Sequence, residues 1–296
     1  MSDPTLISFH RIFLSSAFAA CFAELFTLPL DIAKVRLQLQ KKGNVGEGVG
    51  VPKYYGLTGT MLTIVQEEGL FALWKGVVPG LHRQFVYGGL RIGLYEPVKA
   101  FIVGSVFVGD VSLFSKILAA LITGAVAITL ASPTDLVKVR LQTEGKTPFG
   151  VPKRYLGAMD AYYTIAKQEG LAALWTGLGP NIARNATINA AELASYDHVK
   201  EAILRIPGFT DGALTHLFAG FGAGFFAVCI GSPLDVVKSR MMGDSIYKNT
   251  FDCFLRTLKS EGPGAFYKGF LPNFTRLGIW NVIMFSTLEQ VKQLFI

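Results

Sequence analysis

Apolar positions along this chain gather into long runs separated by polar connections. Three runs, at 12–30, 113–133 and 214–233, extend for about 20 residues with few charges, the length a helix needs to cross a bilayer. Three weaker runs lie between and after them, at 77–98, 178–199 and 271–294, each with an arginine near its start. The pattern predicts an all-α membrane protein with six transmembrane helices, two for each strong–weak pair of runs.

Each strong run reads as an apolar helix that ends in the same charged phrase. It reads Pro29, Asp31, Lys34 and Arg36, then Pro133, Asp135, Lys138 and Arg140, then Pro233, Asp235, Lys238 and Arg240. Self-similarity at a fixed period marks a tandem array. The three repeats of about 100 residues are drawn at 1–106, 107–207 and 208–296. After the proline phrase each repeat has a polar connection and a short amphipathic stretch, such as 57–68, where apolar residues recur at helical spacing. The stretch ends in Glu68-Gly69, Glu169-Gly170 or Glu261-Gly262. Trp74-Lys75-Gly76, Trp175-Thr176-Gly177 and Tyr267-Lys268-Gly269 follow, and the second helix opens near Pro79, Pro180 or Pro272, where proline suits a first turn. A second phrase closes each repeat: Glu96 with Lys99, Asp197 with Lys200, Glu289 with Lys292. Small residues at Ser16/Ala20, Ala120/Gly124, Gly220/Gly224, Gly89/Gly93 and Ala190/Ala194 predict close helix approach in lipid. Two spans per repeat return the chain to its starting side, so all three units insert alike, as in a parallel-repeat transporter.

Composition agrees with a membrane setting. Mean hydropathy is +0.41 and only 17% of residues are charged. The net charge is +7, and segments 34–78, 138–178 and 238–271 carry six Lys and Arg each, 18 of the 28. They fall on one side, as the asymmetry of basic loops about a membrane requires. No aromatic-rich recognition motif accompanies them, so nucleic acid is not expected as a partner. Cys21, Cys229 and Cys253 lack metal or redox spacing. No P-loop, metal cluster or nucleophile–base pair points to an enzyme, and no catalytic residue is assigned.

Arg83, Arg184 and Arg276 each precede the acid of the second phrase by thirteen residues. At 1.5 Å rise per residue this is roughly 20 Å, which buries them deep in the membrane. A charge at a helix centre costs about 2.5–3.5 kcal/mol on insertion scales. The arginines must therefore line a watery cavity or meet counter-ions, and three guanidinium forks at one depth suit carboxylate or phosphate. In the proline phrases Asp and Lys can pair three apart on one helix. Alternatively, each acid reaches the lysine of the next repeat and closes a ring, with the second phrases forming a ring at the other mouth. Charges that break the three-fold pattern mark specificity: Glu24 opposite Ile128 and Val228, and Arg91, Glu192 and Met284 at one aligned position. Trp280, near Arg276, can stack on a planar ligand or serve as an aromatic packing residue.

These motifs resemble the mitochondrial carrier family over nearly the whole chain, and within it the uncoupling-protein subfamily, its plant members most of all. The stretches that carry the second likeness are 80–84, 89–96, 185–193 and 280–285. The resemblance implies a pseudo-three-fold barrel of six transmembrane helices with three short matrix helices, in the mitochondrial inner membrane with both termini toward the intermembrane space. It implies a matrix gate of Asp31, Lys34, Gln38, Asp135, Lys138, Gln142, Asp235 and Lys238, with Met242 where a third glutamine would stand. A cytoplasmic gate of Glu96, Lys99, Asp197, Lys200, Glu289 and Lys292 is implied too. Substrate or nucleotide would meet Arg83, Gln84, Arg91, Arg184, Asn189, Glu192, Arg276 and Trp280. The implied activity is alternating-access transport of small anions (dicarboxylates, aspartate and glutamate) with fatty-acid-linked proton conductance. The alternative is a dedicated exchanger without proton leak. Purine nucleotides (GDP, GTP, ADP, ATP) are implied as inhibitors and cardiolipin as a bound lipid, with Thr176 removing one usual cardiolipin contact. No metal or other cofactor and a functional monomer are expected.

Overall fold

The computed structural model describes residues 4–40, 53–103, 113–145, 154–206, 210, 212–244 and 246–295. Regular structure among them is entirely helical. Ten α-helices run α1 (Pro4–Leu39), α2 (Gly56–Glu68), α3 (Val77–Gly93), α4 (Tyr95–Val103), α5 (Leu113–Thr143), α6 (Ala158–Gln168), α7 (Leu178–Leu204), α8 (Ala213–Gly243), α9 (Thr250–Glu261) and α10 (Phe270–Phe295). Single 3₁₀ turns at Leu70–Trp74, Leu171–Trp175 and Pro263–Tyr267 follow α2, α6 and α9.

Two details differ from the sequence reading. The proline phrases do not end their helices: α1, α5 and α8 run on through Pro29, Pro133 and Pro233 to Leu39, Thr143 and Gly243. Proline is tolerated inside a membrane helix where neighbours satisfy the carbonyl it frees. The weak run at 77–98 is two helices, α3 and α4, joined at Leu94. Pro97 cannot donate to Gly93, and the helical register loosens there. Helices α5 and α8 contain windows, at Leu118–Thr143 and Phe218–Gly243, long and apolar enough to cross a membrane. In α3, α7 and α10 the arginines dilute the apolar signal.

Small residues line the buried stripe of the long helices, but one position away from the expected one. Ala19 and Ala23, Ala119, Thr123 and Ala127, and Ala219, Ala223 and Ala227 are all at most 1% exposed. Ala120 and Gly220 are exposed, and a Cβ on Gly124 or Gly220 would meet nothing. One residue is about 100° of helix, so Ala120, Gly124 and Gly220 lie off the stripe that packs. Close approach occurs instead at Gly222, where a Cβ would lie 2.8 Å from Val199, and at Gly231, 2.5 Å from Ile188. The outward faces are apolar: Phe18, Phe22 and Phe26 on α1, Val126 and Leu130 on α5, and Phe221, Phe225 and Ile230 on α8 are exposed. Buried polar groups under an apolar exterior suit lipid as solvent.

The helices gather into two compact units that cut across the repeats. One comprises Met1–Leu28, Gly76–Leu178 and Trp280–Ile296, the other Pro29–Lys75 and Gly179–Ile279. In the second unit two apolar clusters seat the short helices. Ile32 packs with Ile64, Ala72 and Leu73, and Val237 and Met241 pack with Cys253 and Phe266.

A bidentate ion pair ties each short helix to the end of a long one. Arg36 holds Glu68, Arg140 holds Glu169 and Arg240 holds Glu261, each through both guanidinium ends. Lys75 and Lys268 add second cations at 2.6 Å to Glu68 and Glu261. Repeat 2 has Thr176 at that position, and Arg154 from the preceding connection supplies the second cation to Glu169 at 3.0 Å. Burial by itself raises Glu68 and Glu261, yet the hydrogen bonds from their Arg and Lys partners outweigh it and hold both carboxyls below their usual value; at Glu169 the Arg140 hydrogen bond dominates and lowers it. Gly76 and Gly269 follow these clamps with φ of 84° and 77°, a left-handed conformation that suits glycine. A Cβ on Gly269 would also press on Lys34 O and Gln38 Cγ, both at 3.1 Å.

The clamps predict an acid-sensitive stability. A carboxyl lowered on folding stabilises above its unfolded pKa, and that stabilisation disappears as pH falls through the folded value. Thermal unfolding in detergent should show a midpoint that is flat from pH 7 to about 5 and falls below the ordinary glutamate value of 4.5. Glu68→Gln or Glu261→Gln should cost about 3–5 kcal/mol at pH 7, because an almost fully buried arginine loses its carboxylate, and should flatten the acid limb. Glu169→Gln should cost less, since 22% of that side chain is exposed.

Candidate functional site

The three deep arginines all find carboxylates, and all on the same plan. Arg83 of α3 pairs with Asp135 of α5 at 2.6 Å, Arg184 of α7 pairs with Asp235 of α8, and Arg276 of α10 pairs with Asp31 of α1 at 3.3 Å. Each arginine thus takes the proline-phrase acid of the next repeat, and repeat 3 takes that of repeat 1. Counter-ions, one of the two environments the sequence left open, are present at all three arginines. The arginines keep 22%, 16% and 19% of their side chains exposed, whereas the acids keep 7%, 3% and 9%. The acids are sealed inside and the guanidinium groups remain in reach.

Asp235 gathers three side-chain donors. It accepts from Arg184, from Lys34 at 2.7 Å and from Asn273 Nδ2 at 2.9 Å. The Lys34 link is the pairing between repeats that the ring reading expects. Asn273 was not legible as a site residue. Its signal is the aligned trio Gly80, Asn181 and Asn273. Asp31, Asp135 and Lys138 are buried, and Lys238 is half-buried.

Position 80 explains Glu24, the acid that repeats 2 and 3 replace with Ile128 and Val228. A Cβ on Gly80 would already meet Glu24 Oε1 at 3.5 Å. Into the space that glycine leaves, Glu24 reaches with 1% exposure, accepting from Lys138 Nζ at 2.6 Å and from Gln84 Nε2 at 3.1 Å. Gln84, expected to face substrate, is therefore buried against Glu24. Lys138 carries a partner that the three-fold pattern does not supply.

The glutamines below the ring are deeply buried. Gln38 is 2% exposed and accepts from Ser239 Oγ at 2.6 Å, and its backbone carbonyl accepts from Arg240. Ser239 is a second residue the sequence reading missed; its signal is a hydroxyl where the other repeats have Val35 and Val139. Gln142 is fully buried, as is Met242 at the third position.

The remaining expected residues are more open. Arg91, Asn189 and Glu192 are exposed and Trp280 is half-buried. Arg83 and Arg91 both lie over the Tyr87 ring, at 5.2 and 6.0 Å from its centroid. Of the second phrases, Asp197 is exposed, Lys99 and Lys200 are half-buried, and Lys99 lies 5.7 Å from the Tyr95 ring centroid. The side chains of Glu96, Glu289 and Lys292 lie outside the described residues. The arrangement is one for binding anions and exchanging ion pairs. Among the described residues no group of histidines, cysteines and carboxylates could hold a metal ion.

The model of the mitochondrial carrier protein family matches residues 6–106, 109–206 and 210–296, one match per repeat. Mitochondrial uncoupling protein 2 of Arabidopsis thaliana is 71% identical over 98% of this chain and 95% of its own length. Mitochondrial uncoupling protein 1 of the same plant is 69% identical over 97% and 94%. The dicarboxylate carrier UCP2 of Danio rerio is 47% identical over 95% and 91%. The chain therefore belongs to the mitochondrial carrier family, as a multi-pass carrier of the uncoupling-protein type in the mitochondrial inner membrane.

Proposed function

We propose that this carrier exchanges small dicarboxylates and the acidic amino acids aspartate and glutamate by alternating access, with a proton conductance that fatty acid promotes and purine nucleotides inhibit. The observation that carries the reading is the trio Arg83–Asp135, Arg184–Asp235 and Arg276–Asp31. Each arginine already holds a carboxylate, so a substrate carboxylate offers it the same bonds. A dianion arriving at two of the arginines competes with two of the aspartates. The released acids lose their strongest partners, and the pairs that hold the matrix end loosen. Binding energy is thus converted into opening, because the ligand differs in affinity for the two states. The Arabidopsis relatives are named as uncoupling proteins and the zebrafish relative as a dicarboxylate carrier, which supports both halves of the reading.

Arg91, Asn189, Glu192 and Trp280 are the exposed or half-open groups that select among anions and receive a nucleotide. Asp31, Lys34, Asp135, Lys138, Asp235 and Lys238 form the matrix gate, braced by Gln38 and Gln142. Glu96, Lys99, Asp197, Lys200, Glu289 and Lys292 form the opposite gate. Cardiolipin phosphates lie beside Lys75 and Lys268, whose side chains are 33% and 31% exposed. The carrier works as a monomer with both termini toward the intermembrane space.

Reconstituted exchange tests the reading. Arg276→Ala should lower labelled aspartate and malonate exchange by about 10–100-fold, the worth of a charged hydrogen-bond pair, and weaken GDP inhibition with it. Unchanged exchange together with unchanged inhibition would reject the site. Proton flux measured with and without fatty acid in the same vesicles separates this reading from an exchanger without leak.

Glu24 has its own test. Glu24→Gln leaves Lys138, with 9% of its side chain exposed, without that carboxylate, and should destabilise the carrier by about 3–5 kcal/mol. Adding Lys138→Met should recover much of the loss in the thermal unfolding midpoint. A double variant as unstable as the single one would show that the pair is not the source.

A further inference from the structure

Pro133 sits inside α5 and has no backbone N–H. The carbonyl four residues before it, Thr129 O, therefore lacks its intrahelical donor. In a membrane an unsatisfied carbonyl costs several kcal/mol, and a neighbouring group has to supply the missing hydrogen. That group is the indole of Trp175, whose Nε1–H donates to Thr129 O at 2.9 Å. Trp175 lies at the end of the 3₁₀ turn Leu171–Trp175, next to the short helix α6.

The same segment makes a second attachment to α5. Glu169, at the C-cap of α6, is held by Arg140 through both guanidinium ends. One attachment lies before Pro133, at Thr129, and the other after it, at Arg140. The stretch from Glu169 to Trp175 thus spans the proline like a splint. Bending of α5 at Pro133 moves Thr129 relative to Arg140, and the splint resists it. Of the two attachments the bidentate ion pair is the stronger, so the single indole bond gives way first. Repeat 3 keeps the post-proline attachment in Arg240–Glu261, but carries Tyr267 where repeat 2 has Trp175, and a tyrosine has no indole N–H.

We infer that Trp175 is a positioning residue: its indole N–H latches the Pro133 hinge of α5 in the conformer seen here and must release for that hinge to move. The latch makes the proline hinges of repeats 2 and 3 unequal, with repeat 2 the stiffer.

A double-mutant cycle on the full-length carrier decides the matter. Trp175→Phe keeps a ring and removes the donor. Pro133→Ala restores an N–H to residue 133, which then satisfies Thr129 O without help. Thermal unfolding in detergent should drop by about 2–4 °C for Trp175→Phe in the Pro133 background and by less than about 1 °C in the Pro133→Ala background. Equal drops in both backgrounds would mean that Trp175 only packs, and would overturn the latch. In proteoliposomes, labelled aspartate exchange by Trp175→Phe should show a maximal rate raised about 2–10-fold with KM unchanged, an effect absent beside Pro133→Ala. A lowered or unchanged maximal rate would overturn the release step. This rate arm rests on the transport reading above, whereas the thermal arm does not, so the two can fail separately. If Pro133→Ala yields no folded protein, ultraviolet resonance Raman of the indole bands in wild type minus Trp175→Phe replaces the cycle. A hydrogen-bonded Nε1–H is the expected signature, and a free one overturns the proposal.

Discussion

Every ion inside this protein has to find its opposite, because the medium around it offers no water. Charged side chains within a bilayer cost several kcal/mol unless they are paired, and this one constraint organises the described structure. It places the proline-phrase aspartates under the arginines of neighbouring repeats, the phrase's last arginine on a glutamate of each short helix, and Glu24 between Lys138 and Gln84. Apolar burial does less here than in a water-soluble protein, since lipid already solvates the phenylalanines of the outer faces. Inside, alanine stripes and paired charges lie beside the apolar clusters that seat the short helices.

Paired charges also make the structure switchable. A well-packed apolar contact has one good arrangement, whereas an arginine can trade one carboxylate for another at little net cost. Under the proposed function, the difference in exposure between the arginines and their acids sets the direction of that trade. The partly open guanidinium groups can meet an incoming anion while the aspartates stay sealed. Departures from three-fold symmetry then bias the trade. Asn273 reinforces Asp235, Glu24 reinforces Lys138, and Ser239 reinforces Gln38.

The prolines apply the same rule to the backbone. Each one removes an internal hydrogen bond in a helix that continues past it, and the freed carbonyl needs a donor. At Pro133 the donor is an indole from the adjoining 3₁₀ turn. The bidentate clamps beyond the prolines carry the short helices as fixed attachments of the long ones. In repeat 2, where Thr176 cannot serve, Arg154 restores the second cation from a more exposed position.

Period and residue type were enough to establish the repeats, the helical runs, the short amphipathic helices and the triplicated charges, because these are local properties of a chain in lipid. The need of Arg83, Arg184 and Arg276 for water or counter-ions also followed from the cost of burying charge. Which carboxylate each one meets did not follow, because a partner on another repeat is fixed by packing and not by spacing along one helix. The same limit hid Asn273, Ser239, the Trp175–Thr129 bond and the bond from Gln84 to Glu24. It also displaced the packing stripe by one residue: a glycine pair shows that helices can approach, whereas the face they approach on depends on helix rotation. That rotation is set by all the neighbours together, so it is decided only in the assembled fold.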